Sequence, residues 1–249
     1  MTTRRMLTAH SWVTQAKNRG YWRKFVVDVA CAIPPRKAKK KSSNEHWSDD
    51  IKEHGSWPSA PLGAPQASFV FTDGSAIDNG GADAAAGAGV FFAEGDARNI
   101  SQPLRAEEEQ TNNRGELTAI ILALMAREEE LARGDTVVPI GTDSQYSIRL
   151  AGREGRVMRA RGWKTSRGKP AKNTDLVKIL LAWMAAYGSR ILFVHIFSHT
   201  GKGDPLSIGN DGADRMAVAG AKAGRGGRAG TRYIALRLPR PCGPTPPPL

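Results

Sequence analysis

Cysteine is nearly absent. Cys31 and Cys242 are the only two in 249 residues, and they stand far apart. That excludes a disulfide framework and any cysteine-based metal site, and it favours a reducing, intracellular setting, with cytoplasm, nucleus and mitochondrion all open. No run of about 18 apolar residues occurs, so no membrane-spanning helix and no membrane partner are expected. The glycines of "GAGV" lack the G-x-G-x-x-G spacing, which excludes a dinucleotide fingerprint. Acidic residues are missing from both ends: none precedes Asp28, and none occurs in residues 222–249.

The charge is therefore unevenly spread. Residues 1–66 hold 12 Lys and Arg against 5 Asp and Glu, and residues 222–249 hold 6 against none. The stretch between them is nearly neutral, so the net charge of +12 lies in the flanks. Basic flanks of this kind attract polyanions, or simply stay solvated. The start, "MTTRRMLTAHSWVTQAKNRGYWRKF", fits an organelle transit peptide as well as a nucleic-acid-binding arm. "PPRKAKKKS" fits a nuclear-localisation patch or a basic linker. Three regions are expected: a basic extension over 1–66, a regular domain over 67–222, and a disordered Gly/Arg/Pro-rich tail over 223–249.

Within the regular domain, "ASFVFTDGS" and "AAGAGVFFAE" read as an antiparallel hairpin, with a third strand near 98–104. "NNRGELTAIILALMAREEELARG" reads as one long helix stopped by Gly134. "TVVPIGTDS" is a buried strand. "NTDLVKILLAWMAAYG" is a helix capped at Asn173 or Thr174. "RILFVHIFSH" is a further strand, and "GNDGADRMAVAGA" opens a last helix. The order predicts an α/β layer with a mixed sheet covered by helices.

Four acids punctuate this pattern. Two strands are expected to end on Asp73 and Asp143, and two helices to carry Glu116 and Asp214 in their first turns. Each alone fits turn or cap chemistry. Together, four carboxylates at one end of a sheet would repel one another strongly and call for cations. Hard oxygen ligands select Mg²⁺, with Mn²⁺ as the alternative, and two such ions form the clamp used in phosphodiester cleavage.

The motifs "TDGS", "TNNRGEL", "TDSQY", "SH" and "GNDGAD", in this order, resemble those of the ribonuclease H type 1 family, over about residues 67–222. "RGWKTSRGKPAKNTDL" is similar to that family's basic substrate-handling segment. The resemblance implies a ribonuclease H-like fold, a mixed five-stranded sheet with helices. It implies Mg²⁺-dependent endonucleolytic cutting of the RNA strand of an RNA–DNA hybrid. Asp73 would bridge two ions, Glu116 and Asp143 would complete one site, and Asp214 the other. His199 matches a mobile-loop histidine that aids proton transfer or product departure, whereas His195 reads as structural. The segment between His199 and Asp214 is longer than the family pattern, with Asp204 and Pro205 inside the extra length.

Residues 149–172 hold nine Lys and Arg and one acid, Glu154. With Trp163 embedded, this suits a nucleic-acid backbone; the competing reading is a solvated loop with Trp163 in the core. Telling RNA from DNA needs the 2′-hydroxyl. Gly74, Ser75, Asn79, Asn112, Asn113, Gln145 and Asn210 match family positions at or near the minor-groove contact. Asn173 matches a phosphate-gripping position. Trp163, Lys164, Thr165 and Lys169 belong to the basic segment. Gly115 is expected to let the nucleic acid approach closely, and Gly74 and Ser75 to lie nearest the substrate backbone. The expected partner is the hybrid duplex, met by a monomer. The alternative is a non-catalytic or DNA-directed nucleic-acid-binding protein of the same fold. The four acids count against the first of these, and "TNNRGEL" with "RGWKTSRGKP" against the second.

Overall fold

The structure, a computed structural model, describes residues 68–79, 81–134, 136–197, 204–226 and 233–240. All of them fall in one compact unit, residues 57–249. The N-terminal extension and His199 lie outside the described residues. Among the described residues, no helix is long and apolar enough to cross a membrane.

Five strands form one mixed sheet in the order β3-β2-β1-β4-β5. β1 (Val70–Ile77), β2 (Ala85–Phe91) and β3 (Ile100–Pro103) make an antiparallel meander. β4 (Val138–Thr142) and β5 (Ile191–His195) run parallel to β1. β1 does not end at Asp73 as expected. It continues through Gly74, Ser75 and Ala76, which pair with Ala88, Gly87 and Ala86. The ladder overrides the turn preference of Asp-Gly-Ser, and the chain turns at Asp78, where φ is 51°.

The helices are α1 (Asn112–Ala126), α2 (Glu128–Arg133), α3 (Gln145–Ala151), α4 (Arg153–Ala160), α5 (Thr174–Tyr187) and α6 (Pro205–Arg225). α1 and α6 cover opposite faces of the sheet. Gly74 faces α1, whereas Gly87 and Gly89, the partners of Ser75 and Asp73, face α6. Side chains alternate along a strand, so these neighbours point to opposite sides. The core lies on the α1 face. Leu117, Ile120, Ile121 and Leu124 pack there with Val70, Val138 and Ile140 of the sheet and with Leu176, Leu180 and Trp183 of α5.

Three helix boundaries differ from the expected ones. The long helix breaks at Arg127, because Arg127 and Glu128 both turn inward and are 3% and 1% exposed. The Arg127 guanidinium donates to Ser68 O and Oγ and pairs with Glu130, tying down the start of the domain. α1 starts at Asn112 with Thr111 as its cap, so Glu116 sits in the second turn rather than the first. α6 starts at Pro205. Asp204 caps it by accepting from the Leu206 and Ser207 N–H groups. Part of the extra length before Asp214 is therefore helix, and Asp214 lies mid-helix.

The tail also differs. Residues 233–240 lie against the domain instead of trailing from it. The side chain of Gln102 on β3 accepts from the Ile234 N–H and donates to the Ile234 carbonyl. Trp183 Nε1 donates to the Arg237 carbonyl. Arg237 and Arg240 both pair with Glu128 at 2.6 Å, and the Arg240 N–H adds a third bond to the same carboxylate. These donors hold the Glu128 carboxyl down at about 2 against the desolvation that raises it.

Candidate metal centre

Strand register brings two acids together. Thr72 lies opposite Thr142 in the parallel β1/β4 pair, so the residues that follow, Asp73 and Asp143, emerge side by side. Glu116 reaches them from α1. Carboxylate oxygens of Asp73, Glu116 and Asp143 all lie within 4.8 Å of one another. Asp214 stands outside that trio, but Asp73 lies on the α6 face and its ionisation is opposed by the charge of Asp214. The expected convergence thus resolves into three close carboxylates and a fourth further off.

Electrostatics mark the cluster as short of positive charge. Burial is the first cause that pushes Asp73 up to about 8, followed by Asp143, with Asp214 and Glu116 adding to it; the Gly74 N–H, at 2.7 Å, opposes the rise. Burial also pushes Glu116 up to about 7, against hydrogen bonds from Ser144 and Asn112. Among the described residues no Lys or Arg pairs with any of the three. An oxygen-only donor set with unbalanced negative charge fits a hard divalent cation.

The neighbours of Glu116 are ordered as well. Asn112 Nδ2 donates to Oε1 at 3.0 Å, so this predicted substrate reader is at least partly engaged in holding a carboxylate. The hydroxyl of Ser144, 4% exposed, donates to Oε2. His195 Nε2 lies 3.2 Å from the Asp143 carbonyl, in keeping with a structural role. Sequence reasoning passed over Ser144, although a Ser just before a helix is a cap signal and could have flagged it. It also passed over Arg114, which joins Asp175, Glu108 and Asn173 and so clamps the starts of α1 and α5 together.

Beside the cluster, a cleft of about 450 Å³ is lined by Asn79, Asn112, Asn113, Thr165 and Asn173, with Tyr146 and Lys172. Five predicted contact residues are thus gathered in one place. Asn173 begins α5 but does not cap it with its side chain: φ is 54°, and Nδ2 donates to the Tyr146 hydroxyl instead. Gln145 is exposed at the start of α3, Ser75 is half-buried in β1, and Lys164 is exposed. Trp163 is partly buried against the core with Lys178 above its ring, which is nearer to the packing reading than to a free stacking face. Asn210 is buried in α6, and its Oδ1 has no partner.

Gly74 and Gly115 have a packing role as well. Both are buried, and each lies beneath the other's element: a Cβ on Gly74 would come within 2.2 Å of the Glu116 nitrogen, and one on Gly115 within 2.5 Å of the Gly87 carbonyl oxygen. The close approach seen at both is that of α1 to the sheet.

Comparison with known proteins agrees with this architecture. The RNase H family pattern matches residues 65–222. The chain belongs to the RNase H family. It is 42% identical over 152 residues to Ribonuclease H of Schizosaccharomyces pombe, covering 61% of this chain and 52% of that protein. It is 32% identical over 153 residues to Ribonuclease H1 of Homo sapiens, covering 61% and 49%. The chain thus spans about half the length of these two curated relatives. Its fold is shared with the prototype foamy virus protease-reverse transcriptase, with a TM-score of 0.50 and 23% identity over 65% of this chain and 22% of that one. The five-stranded mixed sheet of this RNase H domain is the one expected from the sequence.

Proposed function

We propose that this RNase H protein hydrolyses internal phosphodiester bonds in the RNA strand of RNA–DNA hybrids, with two divalent cations, Mg²⁺ or Mn²⁺, held by Asp73, Glu116, Asp143 and Asp214. The observation that carries the reading is the trio of carboxylates from β1, α1 and the end of β4, within 4.8 Å of one another and, among the described residues, paired with no Lys or Arg. Asp73 suits the shared position, since its ionisation is opposed by all three other acids. Bound there, such ions make water more acidic and offset charge developing on phosphoryl oxygens. The protein's own part is to hold the carboxylates in place and to bring the scissile phosphate to them.

The cleft and the basic arm serve that second task. α4 and the hairpin after it expose Arg156, Arg159, Lys164, Arg167 and Lys169. These meet backbone phosphates without regard to sequence, so binding falls steeply with salt. The asparagines of the cleft offer donors and acceptors suited to a 2′-hydroxyl. His199, four residues past the end of β5, is assigned proton transfer or product release.

Purified protein with Mg²⁺ is expected to cut the RNA of a hybrid and to leave double-stranded DNA and double-stranded RNA intact. Asp73→Asn is expected to abolish cutting while hybrid binding persists. Binding of hybrids by the wild type without any cutting would overturn the enzymatic reading; cutting of double-stranded DNA would overturn the assigned substrate.

A further inference from the structure

Ser144 occupies an unusual junction. It follows Asp143 directly and is the N-cap of α3, where its oxygen accepts from the Ser147 N–H at 3.1 Å. Its hydroxyl donates to Glu116 Oε2. Ser147 Oγ, fully buried, lies within hydrogen-bond reach of Ser144 Oγ at 2.9 Å. Ser147, Ser144 and Glu116 thus form one connected hydrogen-bond network. Asn112 holds the other oxygen of Glu116. The carboxylate is thereby fixed from two elements, by α1 through Asn112 and by α3 through Ser144.

The junction also faces the substrate side. α3 leads into α4 and the basic hairpin, and its Tyr146 hydroxyl accepts from Asn173 in the cleft. A shift of α3 would therefore be felt at Glu116 through one hydroxyl. We propose that Ser144 is a positioning residue that sets the Glu116 carboxylate for cation binding and couples it to the start of the substrate arm. This inference rests on the proposed metal-dependent activity, but its main readout does not need substrate.

The test is Mn²⁺ binding by calorimetry on the full chain, with melting temperature and hybrid cleavage measured alongside. Loss of a residue that orients a metal ligand weakens affinity about 10–100-fold. Ser144→Ala is expected to weaken Mn²⁺ binding about tenfold and to lower kcat while KM for the hybrid holds. Ser144→Thr, which keeps both the hydroxyl and the cap, is expected to restore both. In a Glu116→Ala background, Ser144→Ala should have no further effect on Mn²⁺ binding. If the alanine variant does not fold, Ser144→Gly replaces it, because glycine is tolerated at a helix start. Unchanged Mn²⁺ affinity with only a lower melting temperature would reduce Ser144 to a helix cap and overturn the inference. Equal losses with and without Glu116 would overturn it too. A wild type that binds Mn²⁺ but cuts no hybrid would count against the proposed activity alone, and Mn²⁺ affinities of the Ser144 variants would still decide this point.

Discussion

Asp73 shows how function and stability oppose each other at a single residue. Its carboxyl is pushed up to about 8 by burial and by three neighbouring acids. For a carboxyl raised in the folded state, the stability linked to its protonated form is complete below the ordinary value of 3.8 and disappears as pH climbs through about 8. Metal-free wild type is accordingly expected to lose melting temperature between pH 5 and 9, and Asp73→Asn to flatten that decline and to melt higher at pH 9. Thermal melts in a chelator check this; a parallel decline in both proteins would refute it. The acids themselves were legible in the sequence, because each sits in a short motif. Their placement was less so. Asp73 was expected at a strand end and lies mid-strand, since pairing with β2 overrode the local turn signal. Ser144 was missed because its partner, Glu116, is 28 residues away, beyond any local pattern.

At the scale of elements, the decisive contact is α1 against β1. Gly115 is a poor helix former, and replacing it by Ala in an open helix would gain about 1 kcal/mol. Here its Cβ would come within 2.5 Å of the Gly87 carbonyl and 3.1 Å of Gly74 Cα. Overpacking of this kind costs about 1–3 kcal/mol. Gly115→Ala is therefore expected to lower the melting temperature and to cut activity, because α1 carries Glu116. A stabilised, active variant would show that the helix has room to move. Hydrophobic period located the five strands and helices α1, α5 and α6, since each buries one face, but not α3 and α4, whose stretch reads as a basic segment. It could not mark the break at Arg127, where the side chains that turn inward are charged and look like solvent-facing residues. Nor could it start α6 early, because "PLSI" follows a Gly-rich run and has too few apolar residues to show a period.

Across the whole molecule, the feature least visible in the sequence is the strap at 233–240. A segment rich in arginine and proline reads as a free tail, yet two of its arginines close over Glu128, whose side chain is 2% exposed. Arg237 and Arg240 are 40% and 62% exposed and their removal lets water reach the carboxylate, so the loss is that of charged hydrogen bonds, about 1.5–3 kcal/mol. In a domain of this size that corresponds to roughly 5–10 °C, at about 2–4 °C for each kcal/mol. Arg237→Ala with Arg240→Ala is expected to show such a drop, and Glu128→Gln added to the pair to recover part of it. No drop would mean that the strap is not held by this carboxylate. Acid should act in the same direction: the support from Glu128 is complete above its ordinary 4.5 and fails as pH falls through about 2. The strap has one more consequence. The recognisable family region stops at residue 222, and a gene fragment trimmed there would encode every carboxylate of the metal centre but lose both arginines that pair with Glu128 and cover it. In this chain the family match ends before the packing of the domain does.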